Sequence, residues 1–504
     1  MQNKIYIKIV ATLFLTASLA SCKKWVEYEP KDDYTVTNLD YLKSETDYRT
    51  MAVSVYTPLQ WLNETVTIND IASDNAVSGG QDDQEPQNVF DNMNFEPVNN
   101  LLADQWKACF EGINRANYLH QFKDANPGGT AVDFAGKESL YGEIYFLRAY
   151  YYFTLVRLFG DVPLFVDRRL GPTDAGSLTR APKAEVYAQI EADLNTAIAA
   201  LPAVAQQVDK GRATKYAAQA LLGKVLIYEE KFTEAAAVLD AVITSNAFTL
   251  VPDMRSIFLS AGENGPESVF EIQFSNGTPY YNWGAPTRGQ GSIHPQQCGV
   301  RGMNGSAAMP YAPGWSLDLP TQELANAYEA GDQRKAATIF DVEAYKNANP
   351  GLMITYQVAP YKNTGLYSHK YQPMKGETSG QIEFNWTNNF RTIRYAEVYL
   401  LAAEAFNRAA APNDAKARTY LNEVRARAFG NHSHDINASG TALKDAIWKE
   451  RRLELAMEGD RYFDLVRTGQ AAAKITGFQT GKHEVFPIPQ NEVIVGGLPQ
   501  NPNY

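Results

Sequence analysis

The sequence predicts a mainly α protein: a TPR-like scaffold of paired helices, interrupted by one long loop-rich, partly β region. Three observations carry this expectation. Apolar residues recur at three and four through several proline-free stretches, the period of a helix packed on one face. One helix pair carries tetratricopeptide spacing, with Leu222, Gly223, Leu226, Ala235, Leu239 and Val242 at steps of 1, 3, 9, 4 and 3. Between about 250 and 385 that period vanishes, and Tyr and Trp fall instead among Gly, Asn and Pro.

The elements follow in order. Lys4 and Lys8 precede an uncharged apolar run from Ile9 to Ala20. At about twelve residues it is too short for a bilayer core, which needs about 20, so it reads as the h-region of a signal peptide. Leu19-Ala20-Ser21-Cys22 then has the order of a bacterial lipobox, with Cys22 as the thiol that accepts diacylglycerol. Several acyl chains on Cys22, palmitate for example, would anchor the chain durably, since each buried methylene contributes about 0.8 kcal/mol. Residues 22–40 serve as a polar tether. Helices are expected at 41–60, 101–122, 134–159, 183–200, 212–228 and 232–244, so that 41–250 forms an N-terminal helical region. Gly160 and Pro163 end the third of these in the usual stop order. Residues 251–391 form the loop-rich region, with a strand-like run at 268–274. A C-terminal helical region, 392–504, resumes with helices at 392–408, 414–428, 442–458 and 461–468. In the tetratricopeptide-like pair, small Gly223 and Ala235 let the helices approach, while the leucines fill the groove.

Composition excludes several functions. The 504-residue chain carries a net charge of −11, which argues against a nucleic-acid partner, since that would require a basic patch. Besides Cys22, only Cys109 and Cys298 remain; they could pair, although Cys109 lies in an expected helix and reads as a buried free thiol. No His-Glu-x-x-His, Gly-x-Ser-x-Gly or Walker loop occurs, so neither a catalytic residue nor a cofactor is expected. His432-Ser433-His434-Asp435 reads as an exposed loop, and Asp82-Asp83-Gln84-Glu85 lacks calcium-loop spacing, so no metal is expected.

Several longer motifs stand in one order along the chain. They are Gly112-Ile113-Asn114-Arg115-Ala116-Asn117, Phe146-Leu147-Arg148-Ala149-Tyr150-Tyr151-Tyr152-Phe153 with Leu158-Phe159-Gly160-Asp161-Val162-Pro163, and Arg394-Tyr395-Ala396-Glu397-Val398. Glu450-Arg451-Arg452-Leu453-Glu454, Arg461-Tyr462-Phe463-Asp464-Leu465 and Phe486-Pro487-Ile488-Pro489-Gln490 complete the set. Together with the lipobox, this pattern resembles the SusD/RagB family from end to end. The resemblance implies a SusD-like lipoprotein on the outer face of the cell outer membrane, of Bacteroidetes type. It also implies a nutrient ligand, usually an oligosaccharide or polysaccharide and in some members a peptide. The implied partner is a SusC-like TonB-dependent transporter that receives it.

The charged residues in these motifs are expected to tie helices together. Arg394, Glu397 and Glu404 are placed on one face of a single helix, facing Glu450, Arg451, Arg452 and Glu454, and Arg suits bidentate pairing with Glu. The competing reading is an acid/base carboxylate pair of a surface-anchored glycoside hydrolase. Gly459 is expected to close one helix and Asp460 to cap the next.

Ligand contacts are sought among loop aromatics, because a sugar offers flat C–H faces ringed by hydroxyls. Tyr280, Tyr281 and Trp283 form one cluster, and Tyr311 and Trp315 a second with Arg301 nearby. Asp74 and Asn75 add polar groups. Each aromatic could instead pin its loop to the scaffold: for Tyr281 and Trp283 the two roles balance, and for Tyr311 and Trp315 packing leads. Trp61 and Trp386 are expected in the core.

Overall fold

In the computed structural model the described residues are 41–62, 64–80, 86–171, 173–206, 209–282 and 289–504. They fall into two compact units. The described part of the smaller comprises residues 41–47 and 124–132, where a turn is closed by the amide of Thr130 donating to Asn126 Oδ1 at 2.9 Å. The larger, residues 48–123 and 133–504, carries the scaffold and the loop-rich region.

The helices of twelve or more residues are α1 (Glu45–Tyr56), α2 (Asn100–Gln121), α3 (Lys137–Phe159), α4 (Lys183–Ala200), α5 (Lys215–Tyr228), α6 (Phe232–Thr244), α7 (Tyr395–Arg408), α8 (Asp414–Phe429) and α9 (Gly440–Glu454). Within the larger unit, successive helices from α2 to α6 pack as neighbours, α6 passes the array on to α7, and α7 packs on both α8 and α9. The scaffold is therefore continuous across an excursion of some 150 residues between α6 and α7. Gly223 shows why the pairs sit so close. A Cβ there would lie 2.4 Å from the Leu239 side chain, so the α5–α6 contact requires its absence. Leu222, Leu226, Ala235, Leu239 and Val242 are all buried, as the tetratricopeptide spacing requires.

Strands are short and antiparallel: β1 (Ala76–Val77), β2 (Val162–Pro163), β3 (Arg180–Ala181), β4 (Ser268–Ile272), β5 (Leu319–Pro320), β6 (Ile339–Asp341), β7 (Leu366–Ser368) and β8 (Phe390–Arg394). They pair as β1–β5, β2–β3, β4–β8 and β6–β7. The β4–β8 ladder, with Ile272 opposite Phe390, is the stem through which the chain enters and leaves the loop-rich excursion. That excursion has a core of its own, in which Val300, Met303, Met309, Tyr311, Phe340 and Tyr367 pack together.

Three expectations about local structure change. Helix α9 ends at Glu454, so Gly459 lies in the turn beyond it and does not close it. The segment 392–408 is not one helix: β-branched Thr392 and Ile393 lie in β8, and α7 begins only at Tyr395. Arg394 therefore stands at the end of a strand, off the helical face that carries Glu397 and Glu404. Asp460 precedes the helix Arg461–Arg467 but does not cap it. Its carboxylate turns instead to Lys224 at 2.7 Å and Arg157 at 3.3 Å. Cys109 and Cys298 are both free and buried.

Candidate functional site

The charged motifs meet in one buried seam. Arg394 reaches Glu267, Glu454 and Glu458 at 2.7, 2.9 and 2.7 Å. Arg334, from the excursion, reaches Asp332, Glu450 and Glu454 at 2.7, 2.7 and 3.2 Å. Arg467 grips both oxygens of Glu404 at 2.8 and 2.9 Å, and Arg451 meets Asp464 at 3.1 Å. Charges this deep are tolerated because each carboxylate has a cationic partner. Burial works to raise the Glu404 carboxyl, but Arg467 beside it outweighs that and holds it below the usual range. These carboxylates are committed to ion pairs that join strand β8, helices α7 to α9 and the excursion.

Asp74 and Asn75 belong to this seam. Asp74 accepts from Arg461 at 2.7 and 2.9 Å and pairs with Arg452 at 3.2 Å. Asn75 is fully buried, and its Oδ1 accepts from Arg452 at 2.8 Å. The polar face that the sequence offered to a ligand is turned inward, onto arginines almost 400 positions away.

The aromatic candidates divide. Tyr311 is buried among Phe340, Tyr345 and His369, and its hydroxyl lies 3.0 Å from His369 Nε2; it packs the excursion's core. Trp283 lies outside the described residues, as does Cys22. Tyr281 and Trp315, both half-buried, converge on a ring that sequence reasoning missed. Phe384 lies 6.4 Å from Tyr281 and 5.8 Å from Trp315, the latter edge-on. Three half-buried rings from three separate segments thus form one aromatic face. Phe384 had the compositional signal that selected Tyr281, since Gly380-Gln381-Ile382-Glu383-Phe384-Asn385-Trp386 is another aromatic stretch among Gly and Asn.

Supports fix this face. Asn385, fully buried, accepts from the Tyr281 amide at 2.9 Å and donates to the Tyr281 carbonyl at 3.0 Å and the Gln381 carbonyl at 2.8 Å. It acts as a side-chain rung between the two segments. Gly291 permits their approach: a Cβ there would sit 2.3 Å from Asn385 Cα. Tyr280 packs beside Gly380. Arg301 donates to the Trp315 carbonyl at 2.8 Å, while the Trp315 amide donates to the Gln296 carbonyl at 2.6 Å. Arg301 therefore positions Trp315 from behind. Trp386 is buried as expected, whereas Trp61 is half-buried under Arg115.

A cavity of about 460 Å³ lies elsewhere, lined by Trp106, Phe110, Phe165 and Leu498. Phe110 and Phe165 stack on each other at 5.7 Å, which occupies their facing sides. None of the sequence-selected aromatics lines it.

The architecture is that of a helical-pair scaffold with an aromatic face on an inserted loop region. Residues 266–504 match the family described as "SusD family", and residues 24–227 match "Starch-binding associating with outer membrane". A laminarin-binding SusD-like protein is 34% identical with a TM-score of 0.81, over 92% of this chain and 100% of that one. A surface glycan-binding protein A from Bacteroides thetaiotaomicron, solved with laminarihexaose, is 26% identical with a TM-score of 0.80, over the same shares of the two chains. SusD-like protein P2 of Formosa agariphila is 27% identical over 86% of this chain and 87% of its own. The chain belongs to the SusD family. Among the described residues no helix is long and apolar enough to cross a membrane.

Proposed function

We propose that this protein captures an oligosaccharide at the cell surface and passes it, unhydrolysed, to a TonB-dependent outer-membrane transporter. The observation that carries the reading is the aromatic face of Tyr281, Phe384 and Trp315, held on a rigid frame. Ring faces suit the C–H surfaces of a sugar, and a platform fixed before binding loses little entropy when the ligand arrives. A relative described as laminarin-binding and another solved with laminarihexaose make laminarihexaose the first ligand to test. Binding without hydrolysis is supported by the commitment of the motif carboxylates to arginine. Anchoring through Cys22 is supported by the lipobox order and by the outer-membrane association in one family description.

The test is titration calorimetry of the chain lacking residues 1–22 with laminarihexaose, maltohexaose and a mixed peptide pool. Saccharide binding is expected, with Trp315→Ala weakening it by about tenfold or more, a loss of at least about 1.4 kcal/mol. Binding of peptide alone, or a Trp315→Ala protein with unchanged affinity, sinks the assignment. Sugar release on prolonged incubation would restore the hydrolase reading.

A further inference from the structure

We propose that His294, Cys298 and Asp318 form a buried zinc site that ties two segments of the loop-rich region to each other. His294 and Cys298 share one turn of the short helix His294–Cys298, and Asp318 just precedes β5. All three are buried, and one ligand atom from each lies within 4.8 Å of the others.

The spacing suits a tetrahedral ion. With sulfur at about 2.3 Å and nitrogen or oxygen at about 2.0 Å from zinc, neighbouring ligand atoms stand roughly 3.5 Å apart. Cys298 Sγ lies 3.5 Å from His294 Nε2 and 3.8 Å from Asp318 Oδ2. A thiolate, an imidazole and a carboxylate make a donor set that suits zinc better than calcium or magnesium, which take oxygen.

The hydrogen bonds around His294 leave Nε2 free to ligate. The Thr67 hydroxyl donates to Gln297 Oε1 at 2.6 Å, and the Gln297 amide nitrogen in turn donates to Glu64, which fixes that amide's orientation. With its proton committed, the Thr67 oxygen 3.2 Å from His294 Nδ1 is an acceptor. Nδ1 therefore carries the ring proton, and Nε2, the ring nitrogen nearer Cys298 Sγ (3.5 Å against 3.9 Å for Nδ1), keeps its lone pair. This is the outer-sphere arrangement that orients metal-bound histidines.

The independent observation is charge. Eleven other carboxylates are buried to the same degree among the described residues, and every one of them has an arginine or lysine partner. Asp318 and Asp70 have none within ion-pair distance among the described residues. Asp318 Oδ1 and Asp70 Oδ2 also lack any hydrogen-bond partner. A divalent ion supplies the missing cation, and together with the Cys298 thiolate and the Asp318 carboxylate it makes a neutral site. Asp70, at the end of the short helix Thr65–Ile71, has its other oxygen on the Gly459 amide at 3.2 Å.

Placement gives the site its consequence. The neighbouring backbone binds the aromatic face, because the Trp315 and Leu317 amides donate to the carbonyls of Gln296 and Gln297.

The test measures metal and stability, not sugar binding, so it stands apart from the glycan assignment. Protein produced in zinc-supplemented medium is assayed by elemental analysis, then unfolded with a chelator and refolded with and without zinc. About one zinc per chain is expected, with a higher Tm for the zinc-refolded protein. Cobalt substitution should give a near-ultraviolet thiolate charge-transfer band that disappears in Cys298→Ser and weakens in His294→Gln. Zinc far below one per chain both as purified and after refolding with the metal overturns the proposal, whatever the variants do. So does a cobalt spectrum that Cys298→Ser leaves unchanged.

Discussion

The helical seam and the loop-borne aromatic face solve the same problem, holding distant segments in register, with opposite chemistry. In the seam, arginines and carboxylates from β8, α9 and the excursion meet in fully buried ion pairs, Arg394 with three acidic partners. On the aromatic face the ties go to backbone groups: an asparagine rung, a glycine approach, and Arg301 spent on a backbone carbonyl. A buried ion pair is costly to break and awkward to alter piecemeal, because removing one member strands the other. Ties to backbone leave the half-buried rings replaceable without stranding a charge. The contrast fits a fixed scaffold that carries the proposed recognition surface.

The largest effect should come from breaking the seam. Arg394→Met leaves Glu267, Glu454 and Glu458 with fewer positive neighbours in a dry environment, and it should cost about 3–5 kcal/mol. Thermal or urea unfolding would measure it. A loss below about 1 kcal/mol would mean that the seam is wetter or more redundant than its geometry indicates.

Next in size is a change in the scaffold that touches no charge. Gly223→Val forces a branched side chain into the space held by Leu239, and overpacking of this kind typically costs about 1–3 kcal/mol. The lost stability should appear with glycan affinity nearly unchanged, because none of the three rings of the aromatic face belongs to α5 or α6. A variant of normal stability would show that the α5–α6 pair can move apart freely.

The same contrast explains what could be read from sequence. Helices α4 and α6 fall on the expected bounds because a buried face imposes its period on every turn, as Ile190, Leu194 and Ala197 do in α4. The pairing of buried Arg with Glu also followed from residue type, since few other environments tolerate them. Arg394 was misplaced because Phe390–Arg394 is strand only through its partner β4, which lies over a hundred residues earlier. Asp74 and Asn75 were misassigned for a related reason: a loop rich in Asp, Asn and Gly looks alike whether it meets solvent or Arg452 and Arg461. Phe384 was overlooked because ring convergence is a tertiary fact. The asparagine rung leaves no local mark, as one Asn among several has no period.

The smallest effect tests whether Arg301 contacts sugar or only supports Trp315. Its Nη2 donates to the Trp315 carbonyl, and its backbone amide to Ser316 Oγ at 2.9 Å. Arg301→Gln removes the first tie and keeps the second. Stability should change by less than about 1 kcal/mol, and glycan affinity should fall only a few-fold. The deciding measurement is a double-mutant cycle with Trp315→Ala. If Arg301 acts through Trp315, Arg301→Gln costs affinity in the native background and nothing once the indole is gone, so the two losses fail to add. If its guanidinium touches sugar directly, the losses add. In that case the aromatic face would gain a charged edge, and the division between a charged scaffold and a neutral recognition surface would need to be redrawn at Arg301.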